Sequence, residues 1–176
     1  MKFIKTEIDG AYIIELDKIG DERGFFARVW CKDEFEKLKL NGQFVQANRS
    51  YSRDKGTLRG LHYQTAPHGE VKLISCIKGK IFDVIVDLRL DSSSFKKWIG
   101  VELSDENRKM LYVPEGCAHA YQTLENDSEV FYPTTSFYNP KAERGVRWND
   151  PMFNIDWPIK QNLTISEKDK SWPDFI

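Results

Sequence analysis

Histidine, cysteine and long apolar runs are all scarce in this chain. Its 176 residues hold three histidines (His62, His68, His119) and three cysteines (Cys31, Cys76, Cys117). The cysteines are odd in number, far apart and without paired spacing. That argues against a disulfide framework or a thiolate zinc site, and predicts reduced core thiols in a cytoplasmic protein. A transition-metal site draws on two or three convergent histidines, so three in all leave little to build one, and neither metal nor cofactor is expected. No apolar run approaches a membrane span, and Met1-Lys2-Phe3-Ile4-Lys5 has no apolar h-region behind it, so no membrane partner is expected. An excess of one charge is missing too. Lys and Arg number 26 against 27 Asp and Glu, a net charge of −1, which removes any bulk pull on nucleic acid or anionic lipid. An anionic ligand has to be gripped by locally placed arginines.

What is present is punctuation. From Phe44 to Tyr132 short apolar or alternating runs follow one another: 44–48, 71–76, 81–88, 98–103, 110–113, 119–123 and 129–134. Turn signals separate them, among them Lys78-Gly79-Lys80, Pro114-Glu115-Gly116 and Asn126-Asp127. No helical crossover lies between them, which argues for an all-β, antiparallel sandwich or barrel and against a parallel α/β sheet. Ahead of this region, 11–16 reads as a strand, Asp17 to Gly24 as a charged turn, and 33–40 as a helix capped by Asp33 and ended by Asn41-Gly42. Beyond it, 166–170 suits a single helical turn. No linker or repeat divides residues 1–176, so a single domain is expected.

The chain is organised around Arg59-Gly60-Leu61-His62-Tyr63-Gln64, a cation, a glycine and a histidine inside a predicted strand. Strict alternation puts Leu58, Gly60 and His62 on one face and Arg59, Leu61 and Tyr63 on the other, unless Gly60 marks a bulge. Pro114-Glu115-Gly116-Cys117-Ala118-His119 resembles the second motif of cupins, a jelly-roll class. The H-x-H pair of metal-binding cupins is absent, since Gln64 stands where its second histidine would be. His62, Lys72, Tyr132, Asp83 and Asp169 include what carbon-acid chemistry needs. A base removes a proton beside a carbonyl, a cation steadies the enolate oxygen and a phenol returns a proton. Each alone also reads as an ordinary polar residue of a strand or turn. Arg23, Arg59 and Arg28 are candidates for a pyrophosphate, which guanidinium forks suit.

Taken together these stretches resemble the dTDP-4-dehydrorhamnose 3,5-epimerase family. The matching pieces are Gly20 to Phe26, Gln46 to Ser50, Leu58 to Gln64, Lys72-Leu73, Asp83 to Arg89, Leu111 to His119, Tyr132, and Trp148-Asn149-Asp150-Pro151 to Ile155-Asp156-Trp157-Pro158. They run in order over roughly residues 8 to 170, and an ordered string of motifs is more specific than any one of them. The resemblance implies a metal-free, cupin-like jelly roll and a homodimer that epimerises a nucleotide-linked 4-keto-6-deoxy hexose. It implies His62 as base, Asp169 as its orienting partner, Lys72 facing the C4 oxygen and Tyr132 as acid. Arg23 and Arg59 would hold the pyrophosphate, with Phe26, Arg28, Gln46, Asn48, His119, Tyr138 and Glu143 around the nucleotide-sugar.

Three departures stand against that background. Arg28 lies close to where the family has a glutamate, Ala120-Tyr121 replaces Gly-Phe after His119, and Pro133 follows Tyr132. A guanidinium at the base would favour cytosine, with its bare N3 acceptor, over thymine. The sequence therefore leaves open a CDP-sugar beside the expected dTDP-sugar. It also leaves open an enzyme that inverts C3 or C5 alone, and a catalytically silent sugar-nucleotide-binding cupin.

Overall fold

In the computed structural model, which describes residues 1–176, the chain forms fourteen strands and two short helices. In order they are β1 (Lys2–Lys5), β2 (Tyr12–Glu15), β3 (Ile19–Asp21), β4 (Gly24–Phe26), α1 (Lys32–Lys37), β5 (Gln46–Ser52), β6 (Thr57–Gln64), β7 (Lys72–Lys78), β8 (Lys80–Asp87), β9 (Trp98–Ser104), β10 (Met110–Val113), β11 (Cys117–Thr123), β12 (Ser128–Thr134), β13 (Glu143–Gly145), β14 (Thr164–Ile165) and α2 (Glu167–Lys170). One sheet has the order β1-β2-β10-β7-β12-β5. The other runs β13-β6-β11-β8-β9, with β14 joining β6. Every pairing is antiparallel except β14 with β6. This is the antiparallel sandwich the punctuation predicts, and the jelly roll the resemblance implies.

Side-chain alternation divides the apolar residues into three layers. Ile74, Cys76, Leu111, Val113 and Val130 of the first sheet meet Ile81, Ile85, Leu103, Cys117 and Tyr121 of the second, forming the central core. The intervening Val84, Val86, Ala118 and Ala120 point outward from the second sheet with Leu58 and Leu61, where Val146, Phe153 and Trp157 of the C-terminal segment cover them. Strands β8 and β11 are thus packed on both faces, and all of Cys117–Thr123 is buried. On the outer face of the first sheet Phe35 of α1 seals Ile14, Val71, Leu73, Met110 and Tyr112. A fully buried aliphatic or aromatic side chain contributes about 1.5–3 kcal/mol, so these layers carry most of the stability.

Helix α1 corrects two expectations. Its N-cap is Cys31, with no side-chain cap bond, and Asp33 lies inside the first turn with Glu34, where carboxylates favour the helix dipole. It stops at Leu38, because Lys39 takes a left-handed φ of 57°, before Asn41-Gly42 is reached. The charged stretch after Asp17 is likewise more than a turn, since β3 and β4 pair as a hairpin. Helix α2 follows expectation, with the Ser166 hydroxyl accepting from the Asp169 N–H.

Candidate active site

Glycine 60 decides what β6 presents to the interior. In the ladder with β11, His62 pairs with His119 but Arg59 pairs with Tyr121, so β6 spends one extra residue across Gly60-Leu61. This is the bulge alternative: Leu58 and Leu61 share the outer face, while Arg59 and His62 fall on the inner one. A β-carbon on Gly60 would stand 2.4 Å from Ala120 Cβ, and its φ is +121°, so glycine is required both for space and for backbone.

At one end of the sandwich the inward residues turn polar and a cavity of about 450 Å³ opens. His62 enters it from the second sheet, and Lys72 of β7 and Tyr132 of β12 enter from the first. Gln46 and Asn48 of β5, Tyr63 and Gln64 of β6, Glu70, Tyr138 and Glu143 complete the walls. The His62 Nε2 lies 2.6 Å from Asp169 Oδ1, and Asp169 Oδ2 accepts from the Gly60 N–H at 3.4 Å. Burial alone would raise the Asp169 carboxyl. The hydrogen bond and charge of His62, with the Gly60 and Ser166 donors, outweigh it and hold the group below the usual value. Asp169 is therefore a carboxylate that accepts Nε2–H, leaving Nδ1 of the ring as the basic atom. Burial pushes the Tyr132 phenol up to about 12, so it is a proton donor at neutral pH. The Lys72 ammonium donates to Glu70 Oε1 at 2.6 Å, both side chains being about nine-tenths buried.

His119 lies behind this surface, its Nε2 2.6 Å from Asp83 Oδ1. Desolvation raises the fully buried Asp83 carboxyl against the pull of His119 and Lys72, and its Oδ2 has no partner. Arg59 reaches toward β5, donating to Ser52 Oγ at 3.3 Å and the Tyr51 carbonyl at 3.1 Å. Tyr121 bonds its hydroxyl to Ser50 at 2.9 Å. At the rim Tyr138 donates to Glu143 Oε2 at 2.8 Å, and Lys168 Nζ reaches both Glu143 oxygens at 2.6 Å.

Six expected residues are outside the cavity lining: Asp169, Arg59 and His119, which sit against it, and Arg23, Phe26 and Arg28, which lie away from it. Arg23 and Phe26 sit on the exposed β3–β4 hairpin, Arg23 paired with Asp21. Arg28 pairs with Glu34 at 3.2 Å, and the same glutamate binds the N-terminal amine. Sequence reasoning overlooked Glu70 and the structural work of Gln64, whose side chain bonds the carbonyls of His68 and Phe137 and the N–H of Asn139. The signal for Glu70 was its spacing of two from Lys72, which places both on one face of an extended chain.

The fold and the comparisons with known proteins define a jelly-roll isomerase. The model of the dTDP-4-dehydrorhamnose 3,5-epimerase family matches residues 5–176. A relative of that name from Shigella flexneri is 45% identical over 177 residues, covering 100% of this chain and 97% of its own. The crystal structure of a dTDP-4-dehydrorhamnose 3,5-epimerase from Elizabethkingia anophelis NUHP1 superposes with a TM-score of 0.97 at 44% identity, covering 99% and 96% of the two chains. An epimerase from Legionella pneumophila Philadelphia 1, in complex with dTDP-4-keto-L-rhamnose, gives 0.92 at 40% identity over 98% and 92%. The chain belongs to the dTDP-4-dehydrorhamnose 3,5-epimerase family. No helix is long and apolar enough to cross a membrane.

Proposed function

We propose that this enzyme inverts C3 and C5 of a dTDP-linked 4-keto-6-deoxy hexose with His62 as base and Tyr132 as acid. The observation that carries the reading is that base and phenol enter one cavity from opposite sheets. A sugar ring lying between them meets Nδ1 of His62 on one face and the phenol on the other. Both carbons are α to the C4 ketone, so one base reaches each acidic C–H in turn. Nδ1 takes the proton, the bonding electrons pass to the C4 oxygen, and the Lys72 ammonium stabilises the enolate. The enolate then reclaims a proton at the same carbon from the Tyr132 hydroxyl on the other face, which inverts the centre. Solvent restores the phenol and takes the proton held by His62. The test is deuterium uptake from solvent into a dTDP-4-keto-6-deoxy hexose. Incorporation at both carbons by the wild type and at neither by His62→Ala is expected; uptake by His62→Ala refutes the assignment.

The nucleotide is read as dTDP, the nucleotide of the Legionella complex. Arg28, the feature that favours cytosine, is engaged with Glu34 of its own chain. The active unit is read as a homodimer. Phe25, Val29, Trp30 and Phe131 line an apolar cavity of about 860 Å³ on the outer face of the first sheet, and Phe26 is 69% exposed beside it. A second copy would cover this face and carry Arg23 and Phe26 toward a site they do not reach in their own chain. A monomer mass in solution overturns that. The cytoplasm is the proposed location, since the three free cysteines suit a reducing compartment.

A further inference from the structure

We infer that Trp172 is a positioning residue for the base: its indole, seated in a gap left by Gly145, walls the His62 imidazole into the orientation that Asp169 holds. The inference rests on the reading of His62 as base. Gly145 is the direct partner of His62 in the β13–β6 ladder. Its backbone is not left-handed, so glycine is not needed there for its φ. It is needed for room, because a β-carbon on Gly145 would stand 2.3 Å from Cδ2 and Cε2 of Trp172 and 2.5 Å from Nε1.

The indole in that gap meets the His62 ring with centroids 6.3 Å apart and planes at 68°, an edge-to-face arrangement that aromatic rings favour. Trp172 comes two residues after α2, the helix that carries Asp169. One short segment thus supplies both the hydrogen bond to Nε2 and the wall against the ring. Lys168 pins that segment. Its ammonium lies 5.7 Å from the indole centroid while bonding both oxygens of Glu143, which stands two residues before Gly145 on β13. The indole Nε1 is buried without a hydrogen-bond partner, so the ring is seated by packing and the Lys168 ammonium and not by a hydrogen bond. An imidazole held through one nitrogen keeps freedom to tilt about that bond, and the indole removes it.

The experiment compares wild type, Trp172→Ala, Trp172→Leu, Trp172→Phe and His62→Ala by steady-state epimerisation and dTDP competition, with thermal unfolding as a control. Misplacement of a reacting group by about 1 Å costs on the order of 10²-fold. Trp172→Ala is expected to lower kcat about 10–100-fold with KM and dTDP affinity nearly unchanged. Trp172→Phe is expected to recover most of the loss, because a phenyl fills the gap and the indole N–H makes no bond to lose. If Trp172→Ala does not fold, the order wild type, Phe, Leu in falling kcat decides. Wild-type kcat in the Ala or Leu variant overturns the inference, and so does a loss confined to KM or one that Phe does not recover. If His62→Ala is fully active, the base assignment itself falls. If His62→Ala is inactive while Trp172→Ala or Trp172→Leu is fully active, only the role of Trp172 is refuted.

Discussion

His62 and His119 are partners across the β6–β11 ladder, yet each is bonded at 2.6 Å to a carboxylate of its own, Asp169 and Asp83. The two pairs differ in access. The His62 side chain is 31% exposed and lines the cavity, whereas that of His119 is 9% exposed and lies beneath it. One pair is open to the cavity and the other is closed off from it.

His62→Ala should therefore lower exchange at both carbons by about 10²–10⁴-fold, the usual cost of a missing general base, with His119 unable to substitute. Asp169→Asn should lose less, since it orients the ring and takes no substrate proton. Deuterium uptake followed by NMR gives both numbers, and equal losses would mean that Asp169 does more than orient.

Tyr132→Phe should separate abstraction from inversion. His62 still removes the proton, but the opposite face has no donor. Exchange with retention of configuration is expected, with epimerisation down about 10²-fold or more. Unchanged epimerisation would leave water as the acid.

Lys72→Ala should cost both activity and stability, because it strands Glu70 as a mostly buried charge. Breaking a buried pair from one side costs about 3 kcal/mol or more. The double variant Lys72→Ala/Glu70→Ala should regain most of the melting temperature and none of the activity. A double variant that melts no higher than the single one would show that Glu70 is not left uncompensated.

Acid stability should depend on Asp87. Burial would raise its carboxyl, but Arg89, Ser92 and Ser94 bond it and hold it down at about 2, below the ordinary 3.8. A depressed carboxyl stabilises the fold above its unfolded value, and that contribution fades as pH falls from 3.8 toward 2. Asp87→Asn should lower the melting temperature clearly at pH 7 and much less near pH 2. An equal loss at both would assign the effect to packing.

The strands and the pocket chemistry were legible because they rest on short-range pattern. Turn residues mark every hairpin, and alternation places Lys72 and Tyr132 once their strands are known. The face shown by His62 was legible only as a choice, since a bulge at Gly60 depends on Ala120, 60 residues away. The resemblance places Arg28 near the base, whereas its pairing with Glu34 at a helix start carries no sequence signal, because local charge pairs look alike. Trp172 gave no signal at all. Its meaning depends on an empty space at Gly145, which only the folded chain defines.

The entry of His62 and Tyr132 into one cavity from two sheets has a mechanical consequence. Face-to-face sheets stand about 10 Å apart, and the residues that keep them there are Ile74, Ile85, Leu111 and Val130, with Tyr132 packed against the same layer. This layer acts as the spacer of a calliper whose jaws are His62 and Tyr132. Enlarging one spacer residue, as in repacking for heat resistance, would widen the jaws around a sugar ring of fixed thickness and slow turnover, although no residue touching the substrate had changed.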